Sequence, residues 1–184
     1  MIKRTKSTRC FLTVEEFNAL SEAPTESPNT KRCFMFCSFT GLRHSDISRL
    51  RWADIKKTDS GEAIYLPQMQ KTKKPIVIPL NAKAKEWLPE RETAKDSDLI
   101  FHVPLISSVN RALKHMDKKA RISKTVSFHT SRHTFATMLL TAGGDLLTVS
   151  KLLGHTNVQA TQIYGDIVMT KRADAVNKVD SIFG

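Results

Sequence analysis

The sequence predicts an α+β fold that is mostly helical and contains one small three-stranded antiparallel sheet. Apolar side chains recur at helical spacing along most of the 184-residue chain. Between residues 52 and 80 this period gives way to short apolar runs around the turn Asp59-Ser60-Gly61, which is typical of strands joined by tight turns. The length suits one domain or a small pair, and no internal repeat or low-complexity segment is present.

The first third of the chain is predicted to be helical after a basic start. Residues 1–9 are polar, basic and short of apolar side chains, and we interpret them as a linker or a truncated end. Thr13 can cap a helix whose third residue, Glu16, returns the hydrogen bond. The predictions that follow are a loop with two prolines over 21–29, an apolar helix over 31–39 that ends near Gly41, and a short helix over 45–50.

The sheet is predicted from strands around Ile55, at 64–66 and at 76–78, with the basic turn QKTKKP at 70–75 between the last two. After Pro79 the sequence pattern is helical almost to the end of the chain. Glycines are expected to stop helices at 143–144 and at 154. The predicted helices cover 81–88, 106–120, 129–141, 145–153, 157–163 and 170–179.

The charge of the chain favours a polyanionic partner. Lysine and arginine total 29 against 18 acidic residues, which gives a net charge of +11. An excess of this size attracts phosphate backbones, and nucleic acid is the leading candidate. No apolar run approaches the roughly 20 residues that a membrane span needs, and the basic N-terminus lacks the apolar stretch of a secretory signal.

The cysteines and histidines do not predict a metal site or a disulfide framework. An odd count of three cysteines favours a reducing compartment. Cys33 and Cys37 stand in an apolar run and are predicted to be buried core thiols. His129 and His133 have the i,i+4 spacing of zinc ligands, but no glutamate follows the first histidine and no third ligand is evident. We therefore expect no metal and no other cofactor.

Polar residues of the types that act in catalysis are concentrated in four segments. In TGLRHSD at 40–46, Arg43 follows a glycine turn, and Asp46 can share its helical face and hold the guanidinium. The basic turn carries Lys71, whose long side chain can reach into a cleft. In SFHTSRHTFAT at 127–137, His129 and Arg132 point the same way. The fourth segment runs from LLGH at 152–155 to TQIY at 161–164 and contributes His155 and Tyr164.

Each of these residues has an ordinary explanation when it is taken alone, such as a solvated arginine, a structural histidine or a packed tyrosine. Their order along the chain is more specific. It resembles the signature of the tyrosine recombinase family, which is Arg, Lys, His-x-x-Arg, His or Trp, and a nucleophilic Tyr. The resemblance covers roughly residues 10–180 and implies the catalytic fold of that family over 10–184, without the N-terminal core-binding domain.

The resemblance implies a role for each site residue. Arg43, Arg132 and His155 would bind the phosphate oxygens, because phosphoryl transfer is catalysed mainly by positioning and charge stabilisation. Asp46 would support the first arginine. A phenol is mostly protonated at neutral pH, so Tyr164 needs a base to attack phosphorus and form the 3′-phosphotyrosyl bond.

The resemblance also assigns the proton transfers. His129 would act as the base and Lys71 as the acid that protonates the 5′-oxygen leaving group. Lys73 and Lys74 share the turn with Lys71. We choose Lys71 because the lysine of the family signature typically precedes a small or polar residue, as Lys71 precedes Thr72. Since the arginines supply the electrostatic stabilisation, the reaction would need neither metal nor ATP.

The family implies double-stranded DNA as the partner, a homo-tetramer on DNA with a monomer possible for the isolated domain, and a bacterial cytoplasmic protein that associates with the nucleoid when it binds DNA. The reaction would serve integration or excision of a mobile element. The tail after Tyr164 packs either on its own domain or on a neighbour, and both readings stay open. Three other functions are considered: a type IB topoisomerase, a non-catalytic DNA-binding remnant and an RNA-binding protein.

Overall fold

The computed structural model describes residues 10–183, so the predicted basic linker at 1–9 lies outside the described residues. The described chain is mostly helical and has one sheet, in agreement with the predicted fold class. The helices are α1 (Val14–Glu22), α2 (Pro28–Thr40), α3 (His44–Ile47), α4 (Ala82–Glu86), α5 (Ile106–Lys119), α6 (Phe128–Thr141), α7 (Leu146–Leu152) and α8 (Gln159–Phe183), and the strands are β1 (Ile55–Thr58), β2 (Gly61–Leu66) and β3 (Ile76–Pro79).

The three strands form an antiparallel sheet in the order β1-β2-β3. Ile64 in the central strand pairs with Ile55 on one side and with Ile78 on the other. Side chains alternate between the two faces, so Ile64 and Ile78 are buried while Tyr65 and Val77 are exposed. The prediction of three short strands is therefore confirmed, and the turn that carries the basic residues connects β2 to β3.

Local sequence signals set the start of each of the first two helices. The Thr13 hydroxyl accepts a hydrogen bond from the Glu16 amide, and the Glu16 carboxylate accepts one from the Thr13 amide, as predicted. The predicted loop over 21–29 is too long, because α2 begins at Pro28. A proline at this position has the φ of a helix and lacks an N–H that would be unpaired there.

The last helix differs most from the prediction. Helices were expected over 157–163 and 170–179, whereas α8 continues without a break from Gln159 to Phe183. Gly165 inside this helix costs about 1 kcal/mol relative to alanine. Burial of Tyr164 and Val168 on either side of the glycine outweighs that cost. No helix in the described part of the chain is long and apolar enough to cross a membrane.

Two apolar clusters meet along α6. The larger cluster includes α1, α2, the sheet and α5, and Phe128 at the start of α6 belongs to it. The smaller cluster joins α6, α7 and α8 through Phe135 and Tyr164, among others. Because α6 spans both clusters, the side chains at its N-terminal end face the junction between them.

The two cysteines of α2 are core thiols, as predicted. Cys33 and Cys37 are buried in the larger cluster. Burial raises the pKa of Cys33 to about 12 and that of Cys37 well above its ordinary value. Since the thiolate is the reactive form of cysteine, both groups are chemically inert in the folded protein.

Candidate active site

The junction between the two clusters opens into a cleft of about 490 Å³. Helices α3, α6 and α8, the β2–β3 turn and the loop after α7 all contribute side chains to it. The structure thus brings together six residues that are distant in sequence. All six predicted catalytic residues line this cleft, namely Arg43, Lys71, His129, Arg132, His155 and Tyr164.

Arg132 forms the buried floor of the cleft. Its Nη1 donates to the carbonyl oxygen of Gly41 at 2.5 Å, and its Nη2 donates to the carbonyl oxygen of Leu153. The side chain therefore links the end of α2 to the end of α7. Burial and repulsion from Arg43 lower the pKa of Arg132 to about 9, which still leaves the guanidinium charged at neutral pH. A charge held by fixed carbonyl groups needs little reorganisation when an anion binds.

Two glycines allow the backbone to reach this guanidinium. Gly41 has a φ of +68°, and a Cβ there would lie 2.5 Å from Cδ1 of Phe135. Gly154 has a φ of +58°, and a Cβ there would lie 2.4 Å from Sδ of Met69. Both positions combine a left-handed conformation with a close contact, so only glycine fits without strain. The carbonyl partners of Arg132 come from Gly41 itself and from the residue before Gly154.

Arg43 is the residue directly before α3 and lies beside the carboxylate of Asp46. Its Nη1 lies 4.0 Å from Oδ2 of Asp46 and 3.8 Å from Sδ of Met69. Burial lowers the pKa of Arg43, and the Asp46 carboxylate opposes that shift. The Asp46 Oδ2 is buried and accepts no hydrogen bond from the described residues. Its negative charge is therefore balanced by Arg43.

Asp46 also holds the turn that carries the predicted general acid. Its Oδ1 accepts a hydrogen bond from the backbone N–H of Gln70 at 2.9 Å, directly before Lys71. The turn is closed by backbone hydrogen bonds between Met69 and residues 73 and 74. Of the lysines in this turn, Lys71 lines the cleft, whereas Lys74 lines a separate depression beside β3. The structure thus places Lys71 where the sequence analysis expected it.

Tyr164 reaches the cleft from α8 and is 1% exposed. Its hydroxyl lies 2.5 Å from Nδ1 of His133, a residue of α6 that is also buried. The ring of His133 packs edge to face against the ring of His129, with centroids 4.4 Å apart. The sequence analysis considered His133 only as half of a zinc pair. Its position directly after Arg132 was the signal that could have singled it out.

His155 is oriented by a second residue of α8. Its Nδ1 lies 2.8 Å from Oγ1 of Thr161, which is fully buried. This hydrogen bond fixes the orientation of the ring, which lines the cleft. The sequence analysis included Thr161 only as part of the TQIY motif, because a contact between a loop residue and the following helix has no local sequence signature.

Among the residues that the structure describes, no three His, Cys, Asp or Glu side chains are grouped so that they could hold a metal ion. The cleft instead combines two guanidiniums, one lysine, three imidazoles and one phenol. This set suits a phosphate group, because arginine offers paired N–H donors to its oxygens and the phenol is a nucleophile.

Comparisons with known proteins agree with this assignment. The sequence model of the phage integrase family matches residues 10–170. A tyrosine recombinase of Pseudothermotoga lettingae is 31% identical over 175 residues, which cover 92% of this chain and 60% of the relative. The chain thus spans about 60% of the length of this curated relative.

Solved structures show the same fold. The crystal structure of XerA recombinase has a TM-score of 0.72 and 26% identity, and the match covers 90% of this chain and 64% of that one. XerH site-specific recombinase, crystallised in a post-cleavage complex with a palindromic difH substrate, has a TM-score of 0.70 and 22% identity over 91% of this chain and 52% of that one. The curated relative is a tyrosine recombinase, so the topoisomerase and remnant alternatives are not favoured.

Proposed function

The chain belongs to the phage integrase family, and we propose that it breaks and rejoins DNA strands through a 3′-phosphotyrosyl bond to Tyr164. The observation that carries this proposal is the cleft itself, where the buried hydroxyl of Tyr164 faces an imidazole and two guanidiniums. The reaction is a site-specific recombination that serves integration or excision of a mobile element. The strong positive charge of the chain supports double-stranded DNA as the partner.

The phosphate would bind against Arg43, Arg132 and His155. Arg132 is held by two backbone carbonyls and Arg43 lies beside Asp46, and both side chains line the cleft where the phosphate would bind. Negative charge grows on the non-bridging oxygens as the nucleophile approaches phosphorus. Donors that are already oriented stabilise that charge more than flexible ones do.

The chemistry requires two proton transfers. The phenol oxygen of Tyr164 forms a bond to phosphorus, and an imidazole of α6 accepts the phenolic proton; His129 is the residue that the family signature implies. The bond from phosphorus to the 5′-oxygen breaks, and Lys71 donates a proton to this leaving group. A 5′-hydroxyl of another strand can then attack the phosphotyrosine in the reverse sense, so rejoining needs no ATP.

We further propose that the tail of α8 acts in the assembly of a homo-tetramer on DNA. The first part of the tail packs on its own domain, because Nζ of Lys171 lies 4.5 Å from the centre of the Phe11 ring. On the same helix, Met169 and Val176, which lie on either side of Lys171 in the sequence, are 61% and 67% exposed. Exposed apolar side chains beyond Tyr164 suit a contact with a neighbouring protomer. A DNA-acting assembly of this kind belongs in the bacterial cytoplasm, at the nucleoid.

Trapping of a covalent adduct tests the proposed function. The chain is incubated with supercoiled plasmid in EDTA, denatured with detergent and examined for protein that stays attached to DNA. We expect an adduct whose cleaved strand has a free 5′-hydroxyl, which polynucleotide kinase labels without prior phosphatase treatment. A chain that retards the plasmid in a gel but yields no adduct would contradict the proposal.

A substitution at Thr161 tests whether His155 must be oriented for this reaction. Thr161→Val keeps the volume of the side chain but removes the hydroxyl that holds Nδ1 of His155. The lost hydrogen bond is worth about 1 kcal/mol, so the rate of adduct formation should fall about fivefold with little change in melting temperature. Thr170→Val on the same helix, where the hydroxyl bonds only to the backbone oxygen of Asp166 among the described contacts, is the matched control. Equal rates for the two variants would remove Thr161 from the site.

A further inference from the structure

The hydroxyl of Tyr164 has an imidazole partner that the family signature does not include. Nδ1 of His133 lies 2.5 Å from this oxygen, which is the distance of a short O–H···N hydrogen bond. His133 is 7% exposed and Tyr164 is 1% exposed, so the pair is shielded from bulk water. His129 lies on the same helix but is exposed at the mouth of the cleft.

We propose, on the basis of the function proposed above, that His133 is the base that accepts the phenolic proton of Tyr164. The neutral imidazole carries the lone pair on Nδ1 and its proton on Nε2. As the phenol oxygen bonds to phosphorus, its proton moves to Nδ1 and leaves an imidazolium. When a 5′-hydroxyl later attacks the phosphotyrosine, the bond from phosphorus to the phenol oxygen breaks and the proton returns from Nδ1 to that oxygen.

The surrounding charges fit this role. Burial lowers the pKa of both Arg43 and Arg132, and the phenolate of Tyr164 acts in the opposite direction on each. Both guanidiniums are therefore close enough to Tyr164 to interact with negative charge on its oxygen.

The contact with His129 helps to orient the ring of His133, which is the proposed proton acceptor. The planes of the two rings make an angle of 88° and their centroids are 4.4 Å apart, which is an edge-to-face arrangement. It leaves the His133 ring with its Nδ1 edge toward α8. His129 lies at the exposed mouth of the cleft, and His133 in the interior serves the nucleophile.

The test separates a base from a residue that only supports the structure. All variants carry Tyr65→Phe, so that Tyr164 is the only tyrosine, and adduct formation on supercoiled plasmid in EDTA is followed in a single turnover. His133→Asn keeps a hydrogen-bonding group near the position of Nδ1 but cannot take a proton. We expect its rate to fall about 100-fold. His115→Asn, on the exposed face of α5, is the matched control and should retain the parent rate.

Each chain is then prepared with 3,5-difluorotyrosine, whose phenol is more acidic and depends less on a base. If His133 is the base, the fluorinated nucleophile should reduce the defect of His133→Asn to less than about tenfold. The ratio of fluorinated to ordinary rates is taken within each variant, so it does not depend on how much of the protein folds. His133→Gln provides a second variant for the same ratio.

Two results would overturn the proposal. A defect of His133→Asn that is unchanged by fluorination would assign His133 a purely structural role. Rescue by fluorination in His129→Asn but not in His133→Asn would make His129 the base. Failure of the proposed function is distinct from both, because the parent chain would then form no more adduct than the same chain with Tyr164→Phe.

Discussion

Replacing Tyr164 with phenylalanine is expected to abolish covalent attachment to DNA while leaving the fold and DNA binding nearly intact. The substitution removes one oxygen, which is the proposed nucleophile. The ring keeps its place in the smaller apolar cluster, where Tyr164 packs with Phe135 and Val168. The lost hydrogen bond to His133 should cost about 1 kcal/mol of stability. The loss of adduct should be complete, because a benzene ring offers no group that could attack phosphorus.

The other tyrosine of the chain is the natural control. Tyr65 lies on β2 and is 43% exposed, outside the cleft. Tyr65→Phe removes the same atom from the same kind of side chain, so both variants share any general effect of losing a phenol. Three quantities are measured for both variants: the amount of protein that stays attached to DNA in detergent, the melting temperature, and the retardation of DNA in a gel. Adduct formation by Tyr164→Phe at the rate of Tyr65→Phe would refute the assignment of the nucleophile.

The fold was predictable because its signals are local. Alternating apolar residues and a tight turn predicted the strands, and the Thr13 capping box predicted the start of α1. The break expected within α8 was wrong because it depends on tertiary packing. A glycine weakens an isolated helix, whereas burial of Tyr164 against α6 and α7 holds this one together.

The residues of the candidate site were predictable because their order along the chain matches the signature of a family. The six expected residues do line one cleft, although their separate roles remain predictions. The contacts that orient these residues could not be predicted from the sequence. The pairs His133–Tyr164 and Thr161–His155 each join residues whose proximity depends on how α6, α7 and α8 pack. Asp46 was expected to hold Arg43, but its hydrogen bond to the turn of Lys71 follows only from the position of that turn.

Arg132→Ala is the substitution that should damage both activity and stability. The side chain donates to the carbonyl oxygens of Gly41 and Leu153, and the buried acceptors would lose these partners. Each unsatisfied buried group costs about 1–3 kcal/mol, and each kcal/mol lowers the melting temperature of a domain of this size by roughly 2–4 °C. Loss of an oriented donor to the phosphate should also lower the rate of adduct formation by about 1,000-fold.

Arg43→Ala separates the two effects of Arg132. Arg43 contributes a guanidinium to the same cleft, but its described contacts are with the side chains of Asp46 and Met69 rather than with backbone carbonyls. Its removal should reduce cleavage by a similar factor. Because it also leaves the buried Asp46 carboxylate without its partner, the substitution is combined with Asp46→Asn, and the melting temperature should then fall less than in Arg132→Ala. Thermal denaturation and single-turnover adduct formation are measured on both variants. Equal melting temperatures would mean that the two carbonyl contacts of Arg132 do not hold the ends of α2 and α7 together, and that the burial of this arginine serves catalysis alone.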